Sequence, residues 1–187
     1  MKKKMINICW SHLTLFCALI LLPAGDAFGD ALIESDFEKT ADLEWPQGWS
    51  RPSHGTWEEE DGNGFIRLRS ESPGEMIMIY REIAIPGNAK RLKLSWRQRI
   101  TGLERGENSW FDARIMMEWM DADRGAVTPR PPNPNRGRDT NGWEERSIQF
   151  DVPGDARILK FMPSLFRVNT GTFDLDDVVL RVVPADG

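Results

Sequence analysis

The sequence predicts an all-β fold, an antiparallel jelly-roll β-sandwich, on three observations. Apolar residues recur with period two in run after run. Clusters of Gly, Pro, Asn and Asp separate those runs, and no stretch combines a helical period with caps. Many short strands punctuated in this way build two packed antiparallel sheets.

The first element stands apart from that domain. "MKKKMINICWSHLTLFCALILLPAGDAFGD" sets three lysines before an apolar run and then small residues, the pattern of a secretory signal peptide over residues 1–29. Cleavage after Gly29, with Ala27 at −3, or after Ala27 fits best. The apolar run is shorter than the ~20 residues of a spanning helix, which speaks against an uncleaved anchor. The expected location is therefore secreted or periplasmic. Cys9 and Cys17 both fall in this leader, and Phe16 spoils "TLFC" as a lipoprotein box, so the exported domain, 30–187, has neither disulfide nor thiol chemistry. Of 24 basic and 29 acidic residues, losing Lys2, Lys3, Lys4 and Asp26 leaves 21 and 28, a net charge of −7. That balance argues against nucleic acid as a partner. No second apolar stretch suggests a membrane role.

Within the domain, "FIRLRS" alternates around Ile66 and Leu68, and "RLKLSWRQR" sets Leu92, Leu94 and Trp96 against Lys93, Ser95, Arg97 and Arg99. "ARIMMEWMD" sets Ile115, Met117 and Trp119 against Arg114, Met116 and Glu118. "SIQFDVP" gives Ile148, Phe150 and Val152, and "VVLRVVP" gives Val178, Leu180 and Val182. "PQGW", "EDGNG", "IPGNAK", "DADRG" and "VPGDA" are the turns between them. One segment breaks the rhythm. Residues 125–142, with four prolines and three arginines, form an extended loop too long for a turn, expected to lie as an ordered flap over one sheet.

"GTFDLDDVVL", residues 171–180, raises a question of charge. Asp176 shares the alternation phase of Val178 and Leu180, so a regular strand would aim it at the core, where an unpaired carboxylate costs several kcal/mol. First and last strands of a sandwich commonly pair, which would bring Asp36 and Glu38 of "LIESDFEKT" near Asp176. Three carboxylates together call for a hard cation, Ca²⁺ outside the cell. The other reading is solvated edge charge that deters aggregation.

"SDFEKT", "WPQGWS", "GNGFIRLRS", "LKLSWRQR", "ARIMMEWMDADRG", "GWEERSIQFDVPGDARILKF" and "GTFDLDDVVL" follow one another in a familiar order. Over residues 32–183 the chain resembles the β-sandwich carbohydrate-binding modules of families 4, 9 and 22. "PPNPN" and "FMPSLF" are similar to modules beside cellulase-like catalytic domains. The resemblance implies a jelly roll with a structural Ca²⁺ held by Glu38 and Asp176, with Asp36 as an addition. It also implies a glycan or polysaccharide as partner.

Such recognition stacks sugar C–H faces on flat apolar surfaces and meets hydroxyls with planar polar groups. Seven of the eight tryptophans lie beyond the leader. Trp96 and Trp119 fall on core sides, and Trp45 and Trp49 read as packing around "PQG". Trp110 and Trp143, each at a loop-to-strand step, are the candidate stacking rings. Arg97, Arg99, Arg114 and Glu118 are the candidate polar face. In the loop, Asn133, Asn135, Arg130, Arg136 and Arg138 offer forked donors, with Trp143 at the exit. An enzyme is the weaker reading. Glu58, Glu59, Glu60 and Asp61 look like an acidic turn rather than a retaining pair about 5 Å apart, and His54, which a lyase could use with Tyr80, lies in the turn-like "RPSHGTW" and reads as surface. A structural or adhesion sandwich without a sugar site is the remaining alternative.

Overall fold

The structure is a computed structural model that describes residues 31–40 and 42–184. The expected signal peptide lies outside them. Among the described residues no helix is long and apolar enough to cross a membrane.

Among the described residues twelve strands form two antiparallel sheets. Sheet A holds β1 (Ala31–Ser35), β2 (Gly55–Glu60), β3 (Asn63–Ser70), β6 (Arg91–Glu104), β10 (Glu144–Asp151) and β12 (Thr170–Val182). The final strand is central: β6 runs along one edge of β12, while β3 and β1 share the other, at residues 171–175 and 178–181. Sheet B is built around β11 (Ile158–Phe166). β7 (Ala113–Met120) lies on one side of it, and β4 (Met76–Met78) and β5 (Arg81–Ala84) lie end to end on the other.

The predicted alternation produces the core. Ile66, Leu68, Leu92, Leu94, Trp96 and Ile100 of sheet A meet Ile115, Met117, Trp119, Leu159, Phe161 and Leu165 of sheet B, all buried. Each such side chain contributes about 1.5–3 kcal/mol by leaving water. Gln98 occupies a core position too, and Trp96 Nε1 donates to its Oε1 at 2.7 Å, so the amide oxygen is not left unpaired. Trp49 packs as expected, edge-on to Phe161 with centroids 5.8 Å apart, and Trp45 Nε1 donates to its carbonyl.

Three expectations need correction. The acidic run is not a turn: Glu58–Glu60 belong to β2, and only Asp61 and Gly62, at φ 54° and 81°, make the two-residue hairpin into β3. The long segment is not a flap over a face. Its residues form β8 (Ala126–Val127) and β9 (Asn135–Arg136), which extend sheet B along the free edge of β7.

The third concerns Asp176. Phe173 and Leu175 face the core, and so do Val178 and Leu180, a change of parity that a regular strand does not allow. A β-bulge between Asp176 and Val179, with Asp177 at φ 48°, supplies the extra residue. Asp176 therefore points away from the core, opposite Leu175 in phase.

Candidate functional site

The predicted site residues divide between the two outer faces of the sandwich, because β6 belongs to sheet A and β7 to sheet B. Arg97 and Arg99 lie on the first face, Arg114 and Glu118 on the second.

On the outer face of sheet A, Asp174 stands between Arg67 and Arg99 in directly paired rows of β3, β12 and β6. Its carboxylate accepts from Arg67 Nε at 2.7 Å and Nη2 at 2.9 Å, and from Arg99 Nε at 2.8 Å. Arg99 Nη1 also reaches Glu60 at 2.6 Å. The Asp174 hydrogen bond raises the Arg67 pKa against the cost of burial, and for Arg99 the bonds to Asp174 and Glu60 outweigh desolvation. Trp143 closes this lattice. Its ring stands edge-on to Phe65, centroids 5.4 Å apart, with the guanidinium carbons of Arg97 and Arg99 at 5.0 and 4.8 Å. Phe65, an outward-facing residue, is thereby almost sealed from solvent. Trp143, half-buried, thus packs into this lattice, whereas a freely exposed ring is the sequence expectation.

Beside it, Asp176 is fully buried. Asn63 Nδ2 donates to it at 2.9 Å, the Asp177 amide at 2.7 Å, and Arg97 Nη1 lies at 3.4 Å. Burial still holds its carboxyl above the usual range, with Asp177 adding repulsion. Glu38 meets the same turn from the other side, where its Oε1 accepts from Gly64 N at 3.2 Å. Asp36 folds back onto the amide of Glu38. Among the described residues no three acidic or histidine side chains converge tightly enough to hold a metal ion. Both oxygens of Asp176 thus have donors, while Glu38 is turned to the Gly64 amide and Asp36 to its own backbone.

The outer face of sheet B differs. Met76, Met78, Met116 and Met162 stand on it, half-exposed or exposed, with Tyr80, Lys160 and Glu118 further along. Lys160 and Glu118 are only loosely paired, at 3.8 Å. Trp110, 56% exposed, ends this strip. Its ring stacks edge-on to Phe111, and Phe111 on Phe166, at 6.0 and 5.5 Å. Arg114 holds this corner: its Nε donates to buried Asp112 at 2.6 Å, another donor takes the Trp110 carbonyl, and its guanidinium lies over Phe166. The loop forms a wall beside β7. Asn133 Oδ1 accepts from Met117 N at 2.9 Å, and Asn135 Nδ2 donates to Asp112 at 2.6 Å. Arg136 turns inward to Glu144 on β10, 3.6 Å away, a long ion pair that leaves Arg136 Nε and Glu144 Oε2 buried without a hydrogen bond.

Two candidate enzyme groups are occupied separately: His54 faces Glu75 at 3.5 Å, and the Tyr80 hydroxyl donates to Glu82. The methionines were the signal that sequence reasoning passed over. "MIMIY" already alternates Met76, Met78 and Tyr80, and Met116 and Met162 stand on the same face of β7 and β11.

No family model matches the chain, and no curated protein matches it in sequence. Solved structures do match in fold. The chain is similar to the CBM22-1 xylan-binding domain of Xyn10C from Paenibacillus barcinonensis, with a TM-score of 0.56 and 14% identity over 85% of this chain and 98% of that one. It is similar to the C-terminal family 22 carbohydrate-binding module of Clostridium thermocellum Xyn10B, at 0.51 and 14%, covering 85% and 99%. A third match is the enzymatically active domain of bacteriophage CBA120 tailspike protein 4, at 0.56 and 13%, covering 75% of this chain and 20% of that one. The fold is the β-sandwich of carbohydrate-binding modules.

Proposed function

We propose that the protein binds a polysaccharide along the outer face of sheet B and does not cleave it. The observation that carries this reading is the exposed ring of Trp110 at the end of a thioether strip, opposite a sheet A face whose rings and guanidinium groups are already engaged. From Arg114 to Glu118, β7 advances ~13 Å, a track along which a linear chain can lie. Sugar C–H faces would rest on Trp110, the methionines and Tyr80. Glu118, Lys160 and Arg114 would meet the hydroxyls. Xylan, which the matched Paenibacillus domain binds, is the first polymer to test.

Affinity electrophoresis and calorimetry on xylan and a panel of soluble polysaccharides check this. Trp110→Ala should weaken binding at least fivefold, about 1 kcal/mol, without moving the melt. Trp143→Ala serves as a folding control. Equal binding by wild type and Trp110→Ala would remove the face from consideration, and no binding to any polymer would favour the structural-sandwich alternative. Release of reducing sugar or unsaturated product would overturn the non-catalytic part of the proposal.

The signal-peptide reading makes this an exported protein, tested by recovering the processed N-terminus outside the cytoplasm. A calcium ion is proposed on narrower ground than the sequence suggested, at Glu38 and Asp176 alone.

A further inference from the structure

Arg81 carries a guanidinium whose setting neither sheet face explains. It shares the phase of Ile83 on β5, so its side chain enters the mouth of the sandwich where an apolar residue would pack. Trp49 lies beneath it, with the guanidinium carbon 5.6 Å from the ring centroid. Gly48 abuts it: a Cβ there would stand 3.4 Å from Cζ. Its hydrogen bond within the protein is a long one to Ser35 Oγ, 3.4 Å. Burial alone lowers its pKa, with no carboxylate offsetting the loss of water.

Most of the five donors of this fork therefore have no partner among the described residues, in a half-buried place open to a ligand. The guanidinium opens onto a depression of ≈ 520 Å³, lined also by Thr40, Gln47 and Trp57. Three carboxylates share its rim, and each is turned to a donor of its own. Glu34 goes to Arg181 at 3.2 Å, Asp36 to the Glu38 amide and Glu38 to the Gly64 amide. None answers Arg81.

We propose that Arg81, with Ser35, Thr40 and Gln47, forms a second site that takes the oxyanion of an acidic sugar. A planar fork meets a carboxylate or sulfate by two parallel hydrogen bonds, and the edge of Trp57 or the hydroxyl of Thr40 can meet the ring. Only the choice of a sugar as carrier rests on the glycan reading above; the oxyanion chemistry belongs to Arg81.

The test titrates the protein with sodium glucuronate, glucose 6-sulfate and glucose, following tryptophan fluorescence and the ¹H–¹⁵N signals of Trp49 and Arg81. Either anion should perturb both signals while glucose leaves them still. A response to glucuronate alone assigns a uronate, and a response to the sulfate alone assigns a sulfate ester. Arg81→Met, which keeps the packing stem, should weaken anion binding at least tenfold and leave the melt unchanged or higher. Arg81→Lys, keeping charge without the fork, should fall between. Silence of the wild type toward both anions at millimolar concentration would overturn the proposal, as would an unaltered response in Arg81→Met. Neutral polysaccharide that binds through Trp110 and ignores Arg81→Met leaves the sheet B reading intact, so the two can fail separately.

Discussion

Asp174 shows what a single carboxylate does in this molecule. It is buried between Arg67 and Arg99, and its removal leaves two guanidinium groups facing each other without their common counter-charge. Asp174→Ala should therefore lower unfolding free energy by about 3 kcal/mol, since breaking a buried pair strands its partners. Urea denaturation at low and high salt measures this, and salt should restore little of the loss. Trp143 belongs to the same lattice. Trp143→Ala strips the cover from Phe65 and two cation–π contacts, which predicts a loss of about 2–3 kcal/mol in the same assay. Its position at a loop exit made an exposed ring the natural reading of the sequence. What hid the answer was Phe65, an aromatic on the outward side of "GFIRLRS", whose need for cover becomes visible only once β3, β12 and β6 are side by side.

At the scale of elements, strands were legible because one face of each is buried and the alternation says so directly. The runs around Ile66, Leu94, Ile115 and Phe150 all became strands with the predicted side inward. Pairing was less legible. Arg97 and Arg114 have equivalent patterns in their own strands, and nothing local says that one strand joins sheet A and the other sheet B. The bulge at Asp177 was also hidden, because "DLDDVVL" alternates acceptably in either phase. The proline-rich segment was recognised as ordered, but its anchoring depends on side-chain amides meeting a bare strand edge. Asn133→Ala removes the acceptor of the Met117 amide. Hydrogen exchange at Met117 should then quicken about tenfold or more, a loss on the order of one hydrogen bond. Amides of β12 should keep their protection, since the wall is local to β7.

For the whole molecule, the cation proposed at Glu38 and Asp176 would join the stretch after β1 to the last strand. A ligand that binds only the folded form adds stability by mass action. Chelation should lower the melting temperature by several degrees, and Asp176→Asn should abolish the difference between chelator and millimolar calcium. An identical melt in both would leave Asn63, the Asp177 amide and Arg97 as the sole partners of Asp176. The place of β12 also governs the order in which the molecule can come into being. Its thirteen residues supply the middle of sheet A, so until the final stretch arrives β1 has no partner and the β2–β3 and β6–β10 pairs have nothing between them. A nascent or threading chain thus carries the β12-facing edges of β1, β3 and β6 open for nearly the whole of its emergence, and sheet A closes only when its tail reaches a head more than a hundred residues away. Contacts of that range fold slowly and, while they wait, offer edges to neighbours. Refolding by dilution should accordingly show aggregation that grows with protein concentration and recedes when a peptide spanning 170–182 is added early to a chain lacking it.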